Sequence, residues 1–223
     1  MTRSATPLTP RLQSRAYQEL RRLIVSGEFP PGTFLSERQV ALQLQMSKTP
    51  VHVALEKLEA EGFVTISAQQ GVVVRGMSME DILDHYELRE AIECWAVRKI
   101  AGRLSVSQEE LLRMNLTNQQ SALKAMDLTA LMLLDGEMHC LICSFLKNRE
   151  ITTTMERLRD KIHQVIVLVV DNDKERPPQS VAEHAAIIHA VLSGDGGQAS
   201  ELVRAHLAAG KQRILNPYRF SAQ

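Results

Sequence analysis

The sequence predicts a mainly α-helical chain in two parts. A small three-helix unit closed by two short strands comes first, and an antiparallel bundle of about six helices follows. Three observations predict this. Apolar residues recur at helical spacing along most of the 223 residues, with Ala, Leu, Glu and Arg prominent. Two short β-branched runs, Val64–Ser67 and Val72–Arg75, stand on either side of Gly71. After Gly76-Met77 the pattern stays helical to about Leu215, interrupted at glycine, proline and asparagine breaks.

Met1 to Pro10 is polar with two prolines and reads as a flexible tail. Arg11–Val25 carries Leu12, Ala16, Leu20, Leu23 and Ile24 on one face and stops at Gly27, before Pro30-Pro31-Gly32. Ser36, with Gln39 three residues on, has the pattern of a capping box for a short helix burying Val40, Ala41 and Leu44. A turn at Gln45-Met46 leads to Ser47, the cap of a third helix that tolerates Pro50 in its first turn and runs to about Glu61. Gly62 ends it, and strands follow at Val64–Ser67 and Val72–Arg75. Three helices and a two-stranded wing make a winged helix-turn-helix over residues 11–76, a DNA-binding arrangement.

Residues 1–76 hold nine Lys/Arg against six Asp/Glu, while residues 77–223 hold seventeen against twenty. A basic first part on an acidic body suits DNA binding. No apolar run approaches the ~20 residues of a membrane span, and no signal peptide opens the chain. Three cysteines argue for a reduced compartment, and Cys140-x-x-Cys143 falls inside a helical stretch as core thiols. The expected location is the cytoplasm.

The first unit resembles the GntR family of bacterial transcription regulators. The resemblance rests on Tyr17-Gln18-Glu19-Leu20, Gly27 to Gly32, Leu35-Ser36-Glu37-Arg38, Ser47-Lys48-Thr49-Pro50-Val51 and Ala54-Leu55 through Gly62. It implies that Arg38, Lys48, Thr49 and His52 face an operator, with Gly71 letting the wing tip approach the minor groove. Ser47 and Thr49 at a helix N-terminus suit a phosphate on physical grounds as well. The family usually has Arg where Lys48 and His52 stand, and Arg is the better bidentate reader of guanine. One winged helix reads one half-site, so a homodimer on a palindromic operator is expected.

Residues 77–223 form an all-helical domain, with helices near 78–102, 107–124, 127–146, 150–171, 178–193 and 197–215. Asp135 and His139, four apart on one helix face, have Cβ atoms roughly 6 Å apart. His184 lies ten residues before the Gly194-Asp195-Gly196-Gly197 turn and His206 nine after it. Both imidazoles therefore stand roughly 15 Å from the turn on antiparallel helices. All four sit on apolar faces, where unpaired polar groups are costly, so a shared metal or mutual hydrogen bonding must satisfy them. His85, His163 and His189 show no such pattern and read as surface or packing residues.

This part resembles the FCD ligand-binding domain of the FadR subfamily. Leu88-Arg89-Glu90-Ala91-Ile92-Glu93, Asp135-x-x-x-His139, Glu183-His184, Gly194-Asp195 and Ala205-His206-Leu207 carry the resemblance. It implies that Asp135, His139, His184 and His206 ligate a divalent cation, with Zn, Ni, Mn and Fe all compatible with the donor set. Arg89 shares a stripe with Ile82, Tyr86, Ile92 and Ala96, so it points inward and needs an anionic partner. A small organic acid effector is one such partner and Glu93, four residues on, is the other. The expected function is transcription repression relieved by a carboxylate bound near the metal. Alternatives are a sensor whose signal is the ion itself and a metal-dependent enzyme, although no general base stands out for the latter.

Overall fold

Helix α1 (Thr9–Val25) takes in Thr9 and Pro10, two residues earlier than expected. Proline is at home there because first-turn amides have no intrahelical partner. The computed structural model describes residues 9–67, 71–169 and 176–215. Residues 1–8 of the expected tail, wing positions 68–70 and the predicted end of a helix at 170–171 lie outside the described residues.

The chain divides between Gly76 and Met77 into two compact units. In the first, α3 (Lys48–Ala60) packs against both α1 and α2 (Glu37–Gln43). Leu20, Ile24, Val51, Leu55, Leu58 and Phe63 form their fully buried core. At the end of α3 the Phe63 amide donates to Leu58 O at 2.9 Å and Gly62 to Glu59 O at 2.8 Å, a Schellman closure that seats Phe63 against the core. The wing is a three-stranded sheet rather than two strands: β1 (Phe34–Leu35), β2 (Val64–Ser67) and β3 (Gly71–Val74), in the order β1-β3-β2, all antiparallel. Two residues are too few to show an alternating pattern, which is why β1 was not legible in the sequence.

Two expectations about caps are corrected. Ser36 and Ser47 both occupy N-cap positions with extended backbone, but neither side chain makes a capping bond. For Ser47 the reason is local: the third helical residue is Pro50, whose nitrogen has no hydrogen to offer. For Ser36 the expected reciprocal bond with Gln39 does not form, and Gln39 is exposed.

The second unit contains α4 (Met79–Ile100), α5 (Val106–Lys124), α6 (Leu128–Ser144), α7 (Arg149–Val169), α8 (Arg176–Ser193) and α9 (Gly196–Leu215). Side chains set their starts. Ser78 with Asp81 and Ser105 with Gln108 form capping boxes, and Asp127 accepts from the Ala130 amide. Arg176-Pro177-Pro178, read in the sequence as a break, instead form the first turn of α8, where proline costs no hydrogen bond. Val97, Leu112, Met138, Ile142, Ile187, Val191, Val203 and Leu207 fill the common core. Among the described residues no helix is long and apolar enough to cross a membrane.

Candidate metal centre

Two glycines fix the height of the α8–α9 turn. Gly102, just past α4, and Gly194 both have left-handed backbone (φ 66° and 85°), and a Cβ on Gly102 would lie 3.1 Å from the Gly194 Cα. The Gly102 amide donates to Val191 O at 3.0 Å, tying the end of α4 to the end of α8. Any side chain would be strained and would force the backbones apart. Asp195 then starts α9 by accepting from the Gln198 amide at 2.8 Å. This junction sets His184 on α8 opposite His206 on α9, and α6 brings Asp135 and His139 to the same point. Each of the four offers one ligand atom, and these atoms lie within 4.8 Å of one another.

The three imidazoles are buried and held from behind at Nδ1. His139 Nδ1 donates to Glu93 Oε2 at 2.5 Å, and His206 Nδ1 donates to Glu183 Oε2 at 2.6 Å. His184 Nδ1 donates to Gln119 Oε1 at 2.7 Å. The orientation of Gln119 is fixed by a relay: its amide nitrogen donates to Asn115 Oδ1, and Asn115 Nδ2 donates to the backbone carbonyl of Leu134. Holding one ring nitrogen as a donor leaves the other as a lone pair. All three Nε2 atoms are therefore acceptors turned toward Asp135.

Charges in the shell are consistent with that tautomer. Burial opposes ionisation of Glu93, but Arg89 and His139 outweigh it and hold its pKa at about 2. Burial likewise opposes ionisation of Glu183, and His206 and Arg176 hold it at about 2. With both carboxylates ionised, the shared protons belong to the imidazoles. Arg176 Nη1 bonds Glu183 Oε1 at 2.7 Å, and its Nη2 lies 3.2 Å from His206 Nδ1. Burial pushes His184 down to about 3 despite Asp135, and burial also lowers His206. Burial disfavours the Asp135 charge, yet His184, His139 and His206 together hold it below the usual carboxylate range. At neutral pH the His184 and His206 rings are thus neutral, beside one carboxylate.

Such a set has almost nothing to bind to itself. His184 Nε2 lies 3.3 Å from His206 Nε2 and 3.3 Å from Asp135 Oδ1, and His139 Nε2 lies 3.7 Å from Asp135 Oδ2. None of these contacts has a proton to share in that tautomer. Ser180 supplies one hydroxyl to Asp135 Oδ1 at 3.2 Å. His139 Nε2 is buried with no hydrogen-bond partner. Buried acceptors facing one another are unfavourable unless a cation lies among them, and neutral imidazole plus carboxylate suits a divalent ion. The residues fit a metal.

Arg89 went to its intramolecular partner. Its Nε donates to Glu93 Oε1 at 2.6 Å, with both groups buried. Arg38, Ser47, Lys48, Thr49 and His52 are all exposed, on α2, at the α3 cap and on α3. Gly71 is exposed at the start of β3 with φ 83°. The structure adds an arrangement that the sequence reading missed: His52 Nδ1 bonds Glu37 Oε1 at 2.8 Å and its Nε2 lies 3.3 Å from Glu56 Oε1. The Glu37 bond is the main cause of the raised pKa of His52.

A profile of the gntR family of bacterial regulatory proteins matches residues 12–74, and a profile of the FCD domain matches residues 84–209. The chain belongs to the GntR family and carries an FCD domain. The transcriptional repressor RspR of Escherichia coli K12 is 30% identical over 199 residues, covering 89% of this chain and 87% of the relative. A GntR transcriptional regulator from Rhodococcus sp. RHA1 has a similar structure, with TM-score 0.82 and 25% identity over 95% of this chain and 100% of that one. The Escherichia coli protein McbR/YncC shares the fold at TM-score 0.82 and 17% identity, over 93% and 98% of the two chains. These families and relatives are transcription regulators, so the metal-enzyme alternative falls away.

Within this GntR-family chain, the residues missed by sequence reasoning are those behind the rings. Gln119 had a readable signal: it lies with Leu112, Asn115 and Ala122 on the buried face of α5, a polar pair inside an apolar stripe. Glu183 stood out in the sequence only beside His184, and its bond to His206 was not legible because it depends on how α8 packs on α9. Cys143 is buried in the core and Cys140 packs partly against it, both as free thiols.

Proposed function

We propose that this GntR-family regulator is a repressor of the FadR subfamily that binds a palindromic operator as a homodimer in the cytoplasm. A small carboxylate effector, bound near a divalent metal in the FCD unit, would control it. The observation that carries this reading is the convergence of three Nε2 lone pairs and one carboxylate in a buried site with almost no donors. Asp135, His139, His184 and His206 hold the ion (Zn, Ni, Mn or Fe), while Glu93, Gln119 and Glu183 fix the rings. The ion supplies a positive centre to which a carboxylate can bind when the ion keeps an open position.

Arg89 is the chain's own contribution to acid recognition. Glu93 occupies its Nε, and the two Nη groups make no hydrogen bond to the described residues, leaving a fork that matches a carboxylate. In the DNA-binding unit, Arg38, Ser47, Lys48, Thr49 and His52 face the operator, with Gly71 at the wing. Effector binding can shift the DNA-binding equilibrium only if it favours one arrangement of the dimer over another.

The second reading makes the ion itself the signal. It draws on the Arg89–Glu93 pair, which already balances the guanidinium, and on four protein ligands filling a tetrahedral site. A thermal-shift screen of mono-, di- and tricarboxylates on metal-loaded and chelator-stripped protein separates the two. Stabilisation by an acid only in the loaded form supports the effector reading. Operator affinity that follows metal concentration with no acid present supports the ion as signal.

A further inference from the structure

Both ring nitrogens of His52 face carboxylates. Nδ1 lies 2.8 Å from Oε1 of Glu37, the first residue of α2, and Nε2 lies 3.3 Å from Oε1 of Glu56 on α3. A neutral imidazole has one N–H and one lone pair, and an ionised carboxylate only accepts. The neutral ring therefore satisfies one glutamate and turns a lone pair on the other. The imidazolium satisfies both. The pKa of His52 is raised, first by Glu37 and then by Glu56, which is the direction this geometry requires.

Fold stability does not account for this cluster. The His52 side chain is 50% exposed, and ion pairs standing in water contribute little to stability. Its place matters more. Thr49, His52 and Glu56 recur at the spacing of one stripe on the exposed face of α3. Arg38, next to Glu37 on α2, and Lys48, one turn before His52 on α3, are exposed beside them. With the ring protonated, three cations stand against two carboxylates. Without that proton, two carboxylates flank a neutral ring on a face turned to a polyanion. The groups that secure the proton thus make its loss costly for DNA binding.

We propose that Glu37 and Glu56 are positioning residues for operator binding that act through His52, holding its ring as an imidazolium on the outer face of α3 so that affinity depends on that proton. The proposal rests on the reading, given above, that this face meets the operator. Phosphates favour the cationic ring, so a bound duplex raises its pKa further. Full affinity is then present below the pKa of the free chain and is lost as pH rises toward that of the complex. Each unit between the two values is worth about tenfold in affinity.

Fluorescence anisotropy of the full chain, on a duplex it selects from a randomised pool at about pH 6, tests this at constant ionic strength. Wild type should lose about tenfold in affinity between pH ~6 and ~8.5. His52→Arg, whose charge does not titrate, should flatten the profile, and His52→Gln, never charged, should flatten it at lower affinity. Glu37→Gln should move the midpoint to lower pH, and Glu56→Gln should move it less, whereas a merely structural role would change affinity by one factor at every pH. In ¹³C-histidine NMR, the ring signal missing from His52→Arg should titrate above an ordinary imidazole, and higher still on the duplex. A pH profile that His52→Arg shares with wild type, a midpoint unmoved in both glutamine variants, or a ring that titrates alike with and without DNA would overturn the proposal while leaving α3 on the operator. Wild-type affinity in His52→Ala at every pH would remove His52 from the interface, and with it the reading on which the proposal rests.

Discussion

His139 gives its Nδ1 proton to Glu93 across 2.5 Å, and the same carboxylate accepts from Arg89 at 2.6 Å through its other oxygen. One buried glutamate thus orients a ligand ring and balances a buried guanidinium. Its replacement should be read on two scales. Glu93→Gln should lower metal affinity by about 10- to 100-fold, as loss of partners behind metal ligands does. It should also destabilise the fold by about 3–5 kcal/mol, because Arg89 is left buried without a counter-charge. Gln119→Ala should lower metal affinity by a similar factor without leaving any buried charge uncompensated. Chelator competition and thermal melts read the two quantities separately, and unchanged affinity in both variants would contradict the tautomer assignment.

Acid should destabilise the metal-free FCD unit well before its carboxylates titrate. Burial holds folded His184 at about 3, against about 6.5 for an exposed imidazole, and lowers His206 in the same direction. The unfolded chain therefore takes up protons that the folded chain refuses. The stability is fully present above pH ~6.5 and is lost progressively as pH falls toward the folded value. Between pH 7 and pH 5 this amounts to about 2 kcal/mol for His184 alone. Thermal melts of stripped protein across that range should fall by several degrees; a flat profile would show that the rings are not held neutral.

At the recognition helix, Lys48→Ala and His52→Ala should each weaken operator binding by about tenfold or more, within the ~1–3 kcal/mol of a base or close phosphate contact. Both residues are exposed, so the melting temperature should stay near wild type. Fluorescence anisotropy on a selected operator measures the affinity. Wild-type affinity in either variant would remove that residue from the interface.

The C-x-x-C pair should be chemically quiet. Burial pushes the Cys140 thiol up to about 11 and raises Cys143 as well. Iodoacetamide at pH 8 should label these two thiols in the native protein about a hundredfold more slowly than in denaturant. Rapid native labelling of either would place it at a surface.

Most of the fold was legible because its signals are local. Helix faces, the Gly194 turn and the β-branched runs around Gly71 depend on neighbours in sequence, and the four candidate ligands followed from helical phase plus distance to a turn. What failed to show depends on partners far along the chain. Glu183 reaches His206 from another helix, and Gln119 reaches His184 through an amide whose direction Asn115 and the Leu134 carbonyl decide. Ser36 had the right spacing for a capping box and made none, since a spacing permits a bond without enforcing it. Glu37 reaches His52 only because the turn at Gln45 (φ 54°) folds α2 back onto α3.

The central claim is that Asp135, His139, His184 and His206 bind one divalent ion, and metal content after loading and desalting tests it most directly. Inductively coupled plasma mass spectrometry should find one equivalent per wild-type chain, and far less in His184→Ala and His206→Ala, whose melting temperatures should fall in step. Full stoichiometry in both variants, or none in the loaded wild type, would contradict the account.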